Sequence, residues 1–250
     1  FVYCNQKGGV GKSTFAVHHG FYGLEKGLRV LFIDLDGQGN SSSSIKNKAS
    51  VICDTASLFS SDFKLPDEFS SLTLFRGSPS LNEIERKSNH IINHFRKNIQ
   101  ALSSNFDICI IDTPPTLGLR MMSALIISHF VVCPFELSSY SIQGIHQMVV
   151  TIQEVKDRFN PNLELLGLLA NRANLRSNAH KEALLNVAKR FVHLMIKKTM
   201  GNRIAIQEAL DQGVAVWDLK SSSAKTSAIE MQAVIHHIEH LAEECSFEHV

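Results

Sequence analysis

No two cysteines in this chain are spaced to grip a metal ion or to close a short loop. The five present, Cys4, Cys53, Cys109, Cys133 and Cys245, are odd in number and lie far apart. That argues against a zinc ribbon, a paired-thiol redox motif or a disulfide framework, and the thiols read as reduced, small hydrophobes in a cytoplasmic protein. A charge excess is missing as well: 25 Lys and Arg face 24 Asp and Glu. Affinity for nucleic acid or membrane would have to come from a local patch. No apolar run approaches the roughly 18 residues of a membrane span. The first residues already read as a strand, so no leader peptide is expected. Internal repeats and breaks in composition are also lacking, and one domain over residues 1–250 is expected. With 44% hydrophobic residues, such a domain can bury its core without metal or disulfide staples.

What the chain does have is alternation. Short apolar runs predict strands at 1–4, 29–34, 72–77, 107–112, 130–135 and 163–170, with a weaker one at 194–199. Helical patterns fill 13–26, 89–103, 117–128, 140–159, 178–193 and 222–244. Continuous apolar strands, each followed by a helix, predict an α/β fold: a mostly parallel, doubly wound sheet with helices on both faces. Right-handed crossovers would gather the loops that follow the strands along one edge, where ligands bind. The serine-rich runs 41–44 and 220–225 read as mobile loops.

The stretch Gln6-Lys-Gly-Gly-Val-Gly-Lys-Ser-Thr14 lies between the first strand and the first helix, the context that a phosphate-binding loop requires. Gly8, Gly9 and Gly11 let backbone amides approach phosphate closely, and the start of the helix adds its partial positive charge. Lys12 would bridge β- and γ-phosphates, and the Ser13 hydroxyl would ligate Mg²⁺. Two later strands end in carboxylates. Asp34 and Asp36 alternate along the second strand, so both can face the phosphate edge. Asp112 closes the strand DICIID, where an aspartate can hold Mg²⁺ directly or through water.

Read as K-G-G-V-G-K-S-T, the loop resembles the deviant Walker A motif of the ParA/MinD family of P-loop ATPases. Asp34-Leu-Asp-Gly-Gln-Gly-Asn40 resembles that family's first switch, with Gly37 in a usual proline position, and Thr113-Pro-Pro115 resembles the second. The resemblance extends over nearly the whole chain, through the segments 134–152, 165–174 and 201–218. It implies a P-loop fold, ATP and Mg²⁺ as ligands, and an ATP-dependent homodimer. Lys7 would reach across to the partner's nucleotide, a finger in trans that ties hydrolysis to dimerisation. Asp36 would hold the attacking water, with Asp34 in support. Lys7, Gly8, Gly9, Val10, Gly11, Lys12, Ser13 and Thr14 would bind the nucleotide together with Asn171 and Arg172, Asn171 reading the adenine edge. Residues 201–218 would form a loop lying over the base. The closest likeness is to small Soj-like partition ATPases without an N-terminal DNA-reading domain. Such proteins hydrolyse ATP weakly, coat nucleoid DNA and are stimulated by a ParB-like or other cargo adaptor.

Other signals are weaker. His236 and His240, spaced i, i+4, have no third ligand nearby and read as helix-surface residues. Lys189, Arg190, Lys197 and Lys198 fall in a basic C-terminal third, where nonspecific double-stranded DNA would find phosphate contacts. The amphipathic last helix carries Glu239, Glu243 and Glu244, with Glu248 beyond it, which opposes attraction to anionic lipid. Membrane binding is therefore not expected. The alternatives are a MinD-like membrane-associated positioning ATPase and a metabolic P-loop enzyme.

Overall fold

The computed structural model describes residues 1–137 and 141–247. Glu248, and residues 138–140 of the segment 134–152, lie outside them. Eight strands form a single sheet: β1 (Val2–Tyr3), β2 (Val30–Asp34), β3 (Ser50–Asp54), β4 (Leu72–Arg76), β5 (Ile108–Asp112), β6 (Phe130–Glu136), β7 (Glu164–Ala173) and β8 (Met195–Gly201). Their order is β3-β4-β2-β5-β1-β6-β7-β8, and every pairing is parallel. The helices are α1 (Lys12–Glu25), α2 (Asn40–Ile45), α3 (Ile91–Ser103), α4 (Leu119–Ile127), α5 (Ser141–Arg158), α6 (Asn178–Arg190), α7 (Ile204–Gln212) and α8 (Ser222–Phe247).

Period-two alternation along each strand divides the core into two layers. Val2, Leu31, Ile33, Ile111 and Val131 point into a layer with α3, α4 and α5. Tyr3, Val30, Phe32, Ile110 and Val132 point to the opposite face, against α1 and α8. Both faces are covered, which is why the strands read as unbroken apolar runs.

Three expectations are corrected here. β3 had no predicted counterpart: its outer residues are exposed and its pattern is weak. The serine run 41–44 lies within α2, where Ser41 and Ser42 are buried, and 222–225 opens α8. Half of the expected loop 201–218 is instead the helix α7, stopped by Gly213 at φ 69° in the left-handed region.

Two buried histidines on α1 fasten it to its surroundings. His18 Nδ1 lies 2.8 Å from the Thr14 carbonyl, and its Nε2 accepts from the Val216 amide at 3.3 Å. Nδ1 therefore carries the proton and donates to Thr14. The ring packs edge-on against Trp217. His19 Nδ1 meets the Tyr3 hydroxyl at 2.8 Å, while Glu239 of α8 pairs with Lys26 at 2.7 Å. Burial drives the His18 pKa down to about 4, with the Thr14 bond opposing. The fold therefore favours the neutral ring. Its contribution is complete above the unfolded value near 6.5 and is lost as pH falls towards 4, by about 3 kcal/mol. Urea unfolding of wild type and His18→Gln at pH 7 and pH 4 should show their stability difference shrinking by about that amount.

Candidate functional site

β1 ends at Tyr3, and residues 4–11 wrap back towards α1 at the edge where the strands finish. Gly9 and Gly11 adopt φ of 76° and 101°. A Cβ on Gly11 would also collide with the Asn171 carboxamide, so that position excludes a side chain on two grounds. The loop is braced from both flanks. Asn5 donates to the Pro134 carbonyl at 2.8 Å and accepts the Lys7 amide at 2.9 Å. From β7, Asn171 donates to the Val10 carbonyl at 2.8 Å.

Lys12 is almost fully buried, and its ammonium bends back to the Lys7 carbonyl at 3.2 Å. Burial lowers its pKa, and the nearby Asp112 carboxylate opposes that most strongly. Behind it lie the thiols of Cys4 and Cys133, 3.7 Å apart.

β2 and β5 end in register, so Asp34 and Asp112 are neighbours at the sheet edge, both fully buried. Two such carboxylates repel, and their charged forms lack water. Burial raises the pKa of Asp112 to about 7, Asp34 adds to the rise, and the Ser13 and Ser41 hydroxyls oppose it. Ser41 donates to Asp112 Oδ2 at 2.8 Å, whereas Asp112 Oδ1 is buried without a partner. Burial raises Asp34 too, against hydrogen bonds led by the Ser42 hydroxyl. Ser42 donates to Asp34 Oδ2 from its hydroxyl at 2.6 Å and its amide at 3.0 Å, while the Asp36 amide donates to Oδ1. Asp36 itself accepts the Gln38 amide at 3.0 Å and faces open space.

That space is a cavity of about 930 Å³. Gly8, Gly9, Gly11, Lys12, Ser13, Thr14, Asp36 and Arg172 border it. Val10 and Asn171 stand behind the loop, Asp112 lies beneath it, and Lys7 is exposed on its outer surface. Arg172 holds φ 51°, uncommon for a residue with a side chain, and pairs with Glu136 at 2.9 Å. Lys189 and Arg190 end α6, and Lys197 and Lys198 lie on β8. All four are exposed and none borders the cavity.

Sequence reasoning missed several participants. Ser41 and Ser42 hold the acidic pair, and Lys46, Gln207 and Asp211 form an outer wall. The serine run was visible, but its partners are distant in sequence. An orphaned carboxylate oxygen next to a hydroxyl is an oxygen donor set suited to a hard divalent cation. The basic loop above it is suited to phosphate.

A family model described as an AAA domain matches residues 1–165. The chain is 36% identical to protein IncC of Escherichia coli over 249 residues, 95% of this chain and 68% of that protein. It therefore spans about two thirds of that relative's length. With the sporulation initiation inhibitor protein Soj of Bacillus subtilis it shares 28% identity, covering 88% of this chain and 92% of the other. Among solved structures, cobyrinic acid a,c-diamide synthase from Mycobacterium smegmatis with bound ATP analogue and magnesium superposes with a TM-score of 0.73. That match has 27% identity and covers 95% of this chain and 94% of the other.

A cation held by the acidic pair would bind in a pH-dependent way. Asp112 must release its proton to ligate a cation, so apparent Mg²⁺ affinity should fall about tenfold per pH unit below pH 7 and level off above it. In the metal-free protein the raised pKa has the opposite consequence, because ionisation of Asp112 costs stability as pH rises towards 7. Thermal shifts titrated with Mg²⁺ at pH 6, 7 and 8 check both trends, and Asp112→Asn should remove the Mg²⁺ response.

Proposed function

The chain belongs to the ParA/MinD family of P-loop ATPases, and on that premise we propose that it is an ATP-hydrolysing partition protein. The observation that carries the ATPase reading is the convergence of Lys12 and Ser13, which border one cavity beside a glycine loop, with the buried Asp112 carboxylate behind them. Soj, and a chromosome partitioning protein ParA of Myxococcus xanthus that is 28% identical over 89% of this chain and 82% of its own, support the biological role.

The amides of Gly8 to Gly11 and the first turn of α1 bind the phosphates, and Lys12 neutralises charge between the β- and γ-groups. Ser13 and Asp112 would hold Mg²⁺, which when bound shields the phosphate charge. Asp36, at the cavity wall, orients the attacking water. Arg172 lies beside the nucleotide, and Asn171 braces the loop behind it. Lys7, exposed on the loop, serves the second nucleotide of a face-to-face homodimer. ATP favours the dimer, and loss of the γ-phosphate releases it.

The dimer binds double-stranded DNA without reading sequence, through Lys189, Arg190, Lys197 and Lys198. A ParB-like or other cargo adaptor stimulates hydrolysis and frees the protein. The protein would then be cytoplasmic and nucleoid-associated, and no helix among the described residues is long and apolar enough to cross a membrane.

Three substitutions separate the nucleotide roles. Lys12→Ala should abolish ATP binding, while Asp36→Ala should keep ATP affinity and trap the dimer. Lys7→Ala should bind ATP but lose most of its turnover and its dimer, as read by nucleotide titration, phosphate release and gel filtration. Equal turnover in Lys7→Ala and wild type would overturn the assignment in trans.

DNA binding is tested by a salt titration with a non-hydrolysable ATP analogue. Each phosphate no longer neutralised should make the slope of log affinity against log salt shallower by about 0.9, so roughly two units per dimer for one residue. Charge reversal at Lys189 and Arg190 should weaken all sequences alike and leave basal hydrolysis intact. A wild type that ignores DNA but binds anionic vesicles would replace partition with membrane positioning.

A further inference from the structure

A second cavity, of about 550 Å³, opens between α3, α4 and the end of α5, away from the phosphate loop. Its walls are Ile92, Leu119, Met122, Ile126 and Phe159, with Arg96 at the rim. Apolar side chains left open in a concave site of this size mark a binding surface. Phe159 is 54% exposed.

Two charged residues line the cavity, Arg96 and Glu85, and the carboxylate is taken up by α4 while Arg96 is open to solvent. Residues 86–97 include Arg86, Lys87, Arg96 and Lys97 and no carboxylate. Arg86 pairs with Glu83 at 3.1 Å. Lys87, Arg96 and Lys97 are exposed and have no ion-pair partner among the described residues. The carboxylate in the wall, Glu85, and that of Asp157 near Phe159 are both engaged. Asp157 accepts from Gln153 at 2.7 Å. Glu85 accepts from the Leu119 amide at 2.7 Å and from Arg120 Nε at 2.7 Å. The ligand that complements an apolar hollow with a cationic rim is apolar at its tip and anionic around it.

Glu85 also leads inward. It caps the first turn of α4, directly after the Thr113–Gly118 segment. Its partner Arg120 is buried and donates to the Leu35 carbonyl at 3.2 Å. Leu35 lies between Asp34 and Asp36. A shift of α4 or Glu85 therefore reaches the backbone that carries both switch carboxylates by way of Arg120.

We propose that this pocket docks an acidic segment of a partner protein, which inserts a large apolar side chain, and that occupancy is transmitted to the nucleotide site through Glu85 and Arg120. The transmission half rests on the ATPase reading above. The docking half does not, and is measured without nucleotide so that the two can fail separately.

The probe is a short fluorescein-labelled peptide with a central Leu-Phe pair flanked by Asp and Glu, followed by anisotropy on the full chain. One control peptide carries Lys for every acid, and a second carries Ala for Leu and Phe. The acidic peptide should bind at least about tenfold more tightly than either control and weaken as salt rises. Arg96→Glu and Phe159→Ala, both at exposed positions, should each reduce its affinity about tenfold and leave basal ATP turnover unchanged. Saturating peptide should change wild-type turnover several-fold, whereas Glu85→Gln should bind the peptide and lose that response. Equal binding of all three peptides, no binding up to about 1 mM, or indifference to both variants overturns docking. Displacement of the acidic peptide by decanoate, with wild-type turnover unmoved by the peptide itself, would assign the pocket to a small amphiphile instead. Tight binding with unchanged wild-type turnover overturns transmission.

Discussion

Two aspartates placed side by side where β2 and β5 end set the terms for everything around them. In-register parallel pairing leaves Asp34 and Asp112 no freedom to move apart, and burial removes the water that would screen them. Such a pair is tolerable only with hydrogen-bond donors, a bound proton or a cation. The protein supplies the donors from α2: Ser41 serves one carboxylate and Ser42 the other. Ser42 in turn accepts the Gly77 amide at 2.8 Å. A Cβ on Gly77 would run into the Asp36 carbonyl and the Asp34 carboxylate, so β4 must end without a side chain there. Lys12 supplies a nearby positive charge, and one oxygen of Asp112 has no hydrogen-bond partner. The switch segment is therefore shaped by an electrostatic problem created in the sheet.

What the sequence made legible follows from how local each signal is. The predicted strands are unbroken apolar runs, buried on both faces and rich in β-branched and aromatic residues, so each stands out without knowledge of its neighbours. The loop residues Gly8 to Ser13 and the strand-terminal Asp34 and Asp112 depend on short spacings, and these are visible too. β3 was hidden because an edge strand with exposed outer residues does not display an apolar run. α2 was hidden because serine is an indifferent helix former and here exchanges solvent for distant carboxylates, which no local pattern records. α7 has an adequate apolar stripe of its own, Ile206, Ala209 and Leu210. The expectation of a loop over the base outweighed that stripe. Glu85, Arg120 and Leu35 meet only through tertiary packing, and their link had no sequence signature at all.

Among the described residues β8 closes one edge of the sheet and pairs only with β7. Apart from the Gly201 amide, which donates to Glu230, its outer edge is a template on which another chain could add a strand. Lys197 and Lys198 stand side by side on that strand, exposed, and a second copy approaching in the same way would bring its own pair against them. Whatever polyanion these lysines attract, they also act as gatekeepers against self-templated growth of the sheet. A neutral, β-branched residue at both positions would remove the charge barrier and improve strand propensity together. Filaments formed by such a variant would arise from sheet extension and would be indifferent to nucleotide, which sets them apart from any assembly built on the ATP-bound dimer.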